Sequence, residues 1–320
     1  MKEILAGIDI GGTTIKLAFL TEQGEIITKW EIPTNKADAG KGIFADIKKA
    51  VTDKLEELEI PYESLKSVGV GAPGPVDQEK GLLGGAVNIG WGDNFPLRDL
   101  VEEALGVPAV IENDANVAAL GEMWKGAGSG AKNLICVTLG TGVGGGVIVG
   151  GDIIHGANGA AGEIGHITSV PQGGYMCNCG KSGCLETVAS ATGIVRSAKD
   201  NLAVYEGDSV LKEKLHANGD LSAKDIFDAA KAGDDLAKET VAELADHLGI
   251  ALADIVGIFN PERIVIGGGV SKAGDFLISE LEQAFTRYVF KPSASTNIVL
   301  AQLGNDAGIV GAGWLAAHKI

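Results

Sequence analysis

His166, Cys177, Cys179 and Cys184 fall in one glycine-rich stretch, GEIGHITSVPQGGYMCNCGKSGCLE, from Gly162 to Glu186. Three thiolates and one imidazole make the tetrahedral soft-ligand set of a structural Zn²⁺, with no position left open for catalysis. Gly173, Gly174, Gly180 and Gly183 let a short loop fold back so that the ligands converge. The alternatives are a loop of reduced thiols or a disulfide. Cys177 and Cys179 stand too close for an easy bridge and nothing in the sequence reads as secreted, so metal is the better reading. Glu163 precedes this box and Glu186 follows it. A metal-bound histidine usually has its second ring nitrogen held by a polar partner. If that partner is a ligand hydroxyl, with Glu163 and Glu186 accepting from its neighbours, the result is a polyol pocket braced by zinc. Two solvated carboxylates are the plainer alternative.

Asp114 is the other candidate for chemistry. It follows an apolar strand, Val107–Ile111, and precedes a helical pattern over Ala115–Trp124, so it reads as a first-turn or cap residue. Capping alone would account for it. A catalytic role gains ground because further polar pocket candidates gather in the same chain. Asp9 ends an apolar run, followed by Gly11, Gly12 and Thr13, where backbone N–H groups could approach a phosphate. DIGGTT is equally an ordinary glycine hairpin, and the lysine of a Walker loop is missing. The pattern returns at TLGTGVGGG, with Thr141 and Gly142 in a turn read as Gly140–Gly146. Two strand–glycine-turn–strand units imply a duplicated fold, with two nests of N–H groups facing one another across a cleft. Gly268 and Gly269 follow another strand and would let backbone lie against a flat ring such as adenine; a plain strand-to-helix turn explains them as well.

Positioning these residues takes a substantial core, and 320 residues with 45% hydrophobic content supply one, organised as two domains. Strands are expected at Glu3–Ile10, Ile15–Leu20, Ile26–Ile32, Val68–Ala72, Val107–Ile111, Leu134–Leu139, Val147–Val149, Arg263–Ile266 and Ile298–Leu300. The first three form an antiparallel meander. Helices are expected at 41–58, 97–105, 115–124, 190–203, 210–215, 223–232, 236–259, from Ser271 to about Phe290, and 307–317. The expected division is an N-terminal domain over 1–120 and a C-terminal domain over 121–304, with a helix over 305–320 returning to the first. A net charge of −16 argues against a nucleic-acid partner. No apolar run has the length of a membrane span, and a thiol metal box fits a reducing cytoplasm. Cys136, inside an apolar strand, needs no function.

In their order along the chain, DIGGT, GAPGPVD, NIGW, ENDANVAALGE, LGTGVGGG, GEIGH, CNCGKSGCLE and IGGGVS resemble the ROK family of sugar kinases, and within it the bacterial ATP-dependent glucokinases. The resemblance spans essentially the full length. It implies an actin-like, hexokinase-like (ribonuclease H-like) fold of two duplicated α/β domains closing over a cleft. It implies ATP as donor, Mg²⁺ and a structural Zn²⁺ as cofactors, and a homodimer or higher homo-oligomer. Asp114 matches the general base; Asn113, Glu163, His166 and Glu186 match sugar-binding positions, with backbone near Gly74 beside them. Gly11, Gly12, Thr13, Thr141 and Gly142 match phosphate-loop positions, the glycines after Ile266 the adenosine loop, and Asp9 a carboxylate near Mg²⁺. Glucose is the expected acceptor, giving glucose 6-phosphate. Within the family, N-acetylmannosamine, N-acetylglucosamine and fructose kinases stay open, as does polyphosphate as donor. A non-catalytic sugar sensor shares the fold, but the DNA-binding extension of family repressors is not seen ahead of the first strand.

Overall fold

The computed structural model describes residues 3–86 and 88–320. Its first half runs β1 (Ile4–Ile10), β2 (Thr14–Leu20), β3 (Ile26–Pro33), α1 (Ile43–Glu57), β4 (Leu65–Ala72), β5 (Val76–Asp77), β6 (Leu82–Leu83), α2 (Leu97–Leu105), β7 (Ala109–Asn113) and α3 (Asp114–Lys125). The second runs β8 (Leu134–Leu139), β9 (Val143–Val149), β10 (Asp152–Ile153), α4 (Glu186–Ala189), α5 (Ala191–Val204), α6 (Val210–Asn218), α7 (Ala223–Ala232), α8 (Asp235–Phe259), β11 (Arg263–Gly267), α9 (Asp275–Tyr288), β12 (Asn297–Leu300) and α10 (Ala307–His318).

The two halves repeat one topology. The first sheet has the order β3-β2-β1-β4-β7 and the second β10-β9-β8-β11-β12. In each, three antiparallel strands join two that run parallel to the innermost of them. The expected meander and duplication are both present. Parallel strands need long crossovers, and α1, α2 and the helical run α5–α8 provide them. Helix α1 exists because Ile43, Ile47, Val51 and Leu55 recur at helical spacing and bury one face. Ser190, Ser209, Ser222 and Asp234 cap α5, α6, α7 and α8 through side-chain oxygens that accept backbone N–H groups.

Helices α3 and α10 pack together between the sheets. Ile309 and Val310 of α10 share a cluster with Ala18 and Leu20 of the first sheet. Val117, Ala119 and Leu120 of α3 and Trp314 and Leu315 of α10 join Leu134, Cys136 and Val265 of the second. The helix pair is close enough that a Cβ on Gly311 would lie 1.6 Å from Val117 O. Small residues here are a packing requirement, and they bring the first turn of α3 to the seam of the two halves.

Two expectations need correction. The glycine turn read over 140–146 is confined to Gly140–Gly142, and Gly144, Gly145 and Gly146 belong to β9. Their lack of side chains serves packing: a Cβ on Gly146 would come within 2.6 Å of Ala119 Cβ. The helix expected directly after Ser271 begins at Asp275, because a 3-10 turn over Gly269–Ala273 and the left-handed Gly274 (φ 72°) intervene.

Candidate active site

Strand β7 ends at Asn113, and α3 begins at Asp114. Asn113 is the N-cap: its Oδ1 accepts from Ala115 N at 2.9 Å and Asn116 N at 3.2 Å. Its Nδ2 donates to Gly74 O at 3.0 Å, fixing the corner after β4. Asp114 is therefore the first helical residue and not the cap. Its Oδ1 also accepts from Ala115 N at 2.8 Å, and its Oδ2 has no hydrogen-bond partner among the described residues.

Solvent reaches Asp114, yet protein crowds it enough to raise its pKa from the usual carboxylate value to about 6. Loss of hydration is the main cause, opposed by the Ala115 N–H, and the charges of Asp9 and Glu163 push the same way as desolvation. Those causes place three carboxylates from three segments around one space. Asp9 lies in β1, paired with Lys16 of β2. Burial raises its pKa too, partly offset by Lys16.

From Glu163 a line of polar contacts crosses the metal box. Glu163 Oε2 is 4.0 Å from His166 Nε2, and His166 Nδ1 is 3.6 Å from Cys177 Sγ. Cys179 Sγ and Cys184 Sγ are also 3.6 Å apart, and all four candidate ligand atoms lie within 4.8 Å of one another. Four ligands around zinc with Zn–S bonds of about 2.3 Å place sulfurs roughly 3.8 Å apart. The side chains fit that group, and His166 turns Nδ1 toward the thiols while Nε2 faces Glu163. Both expectations for His166, metal ligand and pocket wall, are compatible with this orientation.

Glu186 closes the line at the second glycine turn. Its Oε1 is 3.8 Å from Cys177 Sγ and its Oε2 accepts from Val143 N at 3.0 Å. A Cβ on Gly142 would be 2.2 Å from Glu186 Oε2, so this turn and the metal box are built around each other. Thr141 O accepts from Thr192 Oγ1 at 2.7 Å, and Gly140 O from Ala191 N at 2.8 Å. Gly268, in left-handed backbone, backs onto Leu139 at the entry to the same turn. Gly269 beside it faces open space. Gly11, Gly12 and Thr13 form the corresponding turn of the first sheet, held by Thr34 Oγ1 donating to Gly11 O at 2.6 Å.

Contacts therefore link Gly74, Asn113 and Asp114 on one side, and Glu163, His166, the thiols, Glu186 and Gly142 on the other. Two residues escaped the sequence reading. Glu112, 1% exposed, sits at the end of β7, and His155 follows β10; they meet at 2.6 Å. A lone glutamate and a lone histidine so far apart form no motif, and no sequence signal marks them. A groove of about 690 Å³ between β3 and α1 shares no residue with the candidate site.

The ROK family profile matches residues 5–319. The chain is 53% identical to the glucokinase of Halalkalibacterium halodurans, over 98% of this chain and 94% of that one. It is 32% identical to the ROK hexokinase from Thermus thermophilus, with a TM-score of 0.83 over 99% and 98% of the two chains. It is also similar to a ROK family glucokinase from Streptomyces griseus in complex with glucose and AMPPNP, at 37% identity and a TM-score of 0.77, over 98% and 99% of the chains. The fold is the duplicated, actin-like arrangement of these kinases, and the chain belongs to the ROK family.

Proposed function

We infer that this chain is an ATP-dependent glucokinase, transferring the terminal phosphoryl group of ATP to the 6-hydroxyl of glucose. The observation that carries the reading is the state of Asp114: not spent on the helix cap, crowded by protein beside Asp9 and Glu163, and with a pKa of about 6. A carboxylate so placed is ionised at neutral pH yet basic enough to take a proton from an attacking hydroxyl, worth about 10²–10⁴ in rate. The names of the relatives, glucokinase among them, supply the substrate.

The residue roles that the family resemblance implies are part of the same proposal. Asn113, Glu163, His166 Nε2 and Glu186 hydrogen-bond the sugar hydroxyls, with backbone near Gly74 closing one side. Gly11, Gly12 and Thr13 on the first turn, and Thr141 and Gly142 on the second, offer N–H and hydroxyl groups to the phosphates. Gly268 and Gly269 line the nucleoside. Asp9 would hold Mg²⁺, which supplies positive charge to the phosphates when bound. The two carboxylates near Asp114 make a cation there favourable.

His166, Cys177, Cys179 and Cys184 would hold a structural zinc. Its contribution is geometric: it fixes His166 and, through Cys177, the neighbourhood of Glu186. Residues 1–120 with 305–320, and residues 121–304, act as two lobes that close over the substrates and exclude water, which competes as phosphoryl acceptor. A homodimer in the reducing cytoplasm completes the reading.

The test is ADP release with Mg-ATP against glucose, mannose, fructose, N-acetylglucosamine and N-acetylmannosamine. A site that hydrogen-bonds each hydroxyl can favour its own sugar by up to about 10⁴ in kcat/KM. Glucose should lead. A higher kcat/KM for an N-acetylated sugar or fructose would overturn the glucose assignment.

A further inference from the structure

Glu112 is a buried carboxylate that the reaction does not use. Its Oε1 accepts from Asn113 N at 2.8 Å and from Asn116 Nδ2 at 3.0 Å. Its Oε2 accepts from His155 Nε2 at 2.6 Å, with Gln78 Nε2 at 3.4 Å. Each oxygen is satisfied, and the donors come from different parts of the fold. Asn113 and Asn116 flank Asp114 at the start of α3. His155 follows β10 of the second sheet and opens the loop that leads to Glu163.

We propose that the Glu112–His155 pair ties the two halves of the chain together at the active site, and that Glu112 is thereby the positioning residue for Asp114. This rests on the kinase reading above. Burying a carboxylate without a charged partner is costly, so the pair is under strong pressure to stay closed. Closed, it locks the Asn113 amide and the Asn116 side chain, and hence the first turn of α3, in one orientation. It also sets where the 155–162 loop leaves the second sheet. A cavity of about 600 Å³ lies beside it, lined by Pro75, Asp77, His155, Asn158 and Gly159.

The groups facing His155 are Glu112, Asp152 and Lys319. Glu112 and Asp152 favour the imidazolium and Lys319 opposes it, and the Glu112 hydrogen bond raises the His155 pKa above the ordinary histidine value despite partial burial. The charged form is present below that raised pKa and is lost as pH rises through it. Neutral His155 can still donate from Nε2, so the tie weakens without vanishing.

The experiment compares kcat and KM across pH for wild type, His155→Ala and His155→Gln, with amide exchange of residues 113–117 in the absence of substrates. His155→Ala should lower kcat about 10- to 100-fold while KM for glucose and Mg-ATP stays within about threefold, the signature of misplaced catalytic groups. His155→Gln, which donates without charge, should recover much of that loss. Above the acid limb set by Asp114, it should sit on the lower alkaline plateau of the wild type, with no alkaline decline of its own. Exchange at 113–117 should quicken in His155→Ala. An unchanged kcat in His155→Ala, or an alkaline decline that persists in His155→Gln, overturns the proposal. Absence of turnover in wild type would instead overturn the kinase reading, and exchange at 113–117 would still decide the tie.

Discussion

Asn113 caps helix α3, and Asp114 Oδ2 beside it has no hydrogen-bond partner among the described residues. Adjacent side chains divide the labour: one satisfies the orphan N–H groups of the helix start, the other stays available to a substrate. Asp114 Oδ1 accepts from Ala115 N; as the cap, the carboxylate would take further N–H donors, which stabilise the ionised form and lower basicity.

The pH dependence follows. Asp114 must be ionised to accept a proton, and its pKa is about 6. Activity should fall as pH drops through about 6, by roughly tenfold per unit below it. The check is kcat/KM for glucose between pH 5 and 8. An acid limb centred near the usual carboxylate range would mean that the environment does not tune Asp114.

The same shift has a stability consequence of opposite sign. A carboxylate with a folded-state pKa above its unfolded value binds protons more tightly in the folded state. Its contribution to stability therefore declines as pH rises from the unfolded value through about 6. Asp114→Asn removes that penalty and should raise Tm at pH 8 more than at pH 4. Thermal melts at the two pH values test this, and an equal or lower Tm in the variant at pH 8 would contradict it.

The metal box makes a prediction that assay and analysis can check together. Wild type should carry about one zinc per chain, and Cys179→Ser should lose it. Glucose affinity should fall in the variant, because His166 and the neighbourhood of Glu186 lose their brace, while nucleotide affinity changes little. A wild-type protein free of zinc when purified without chelator would contradict the assignment.

Much of this site was legible in sequence because its parts are local. His166 and the three cysteines lie within one loop, and metal geometry restricts what such a set can be. The strand–glycine–strand units announced the duplication, since a buried apolar run and a glycine turn are short-range signals. Three things were not legible. Glycines in GVGGG looked like one loop because sequence does not say whether a glycine turns the chain or admits a neighbouring helix; Gly146 does the latter against Ala119. Asn113 and Asp114 are both good caps, and only backbone geometry chose between them. Glu112 and His155 meet through tertiary structure alone.

Glu122 tests a structural counterpart. Its carboxylate is 1% exposed and accepts from Ala127 N at 2.8 Å, Gln302 N at 3.1 Å and Leu303 N at 2.8 Å. It thereby ties the end of α3 to the segment before α10. Glu122→Ala would strand those buried donors and should cost roughly 3 kcal/mol or more in urea unfolding. A change below about 1 kcal/mol would show that water replaces the carboxylate.

The central claim is that Asp114 acts on the sugar hydroxyl and is not a support for the fold. Steady-state turnover of Asp114→Asn, measured beside calorimetric binding of glucose and Mg-nucleotide, tests it most directly. The account predicts binding close to wild type with turnover reduced by about 10²–10⁴. Turnover near wild type, or losses in binding that match the loss in turnover, would contradict it.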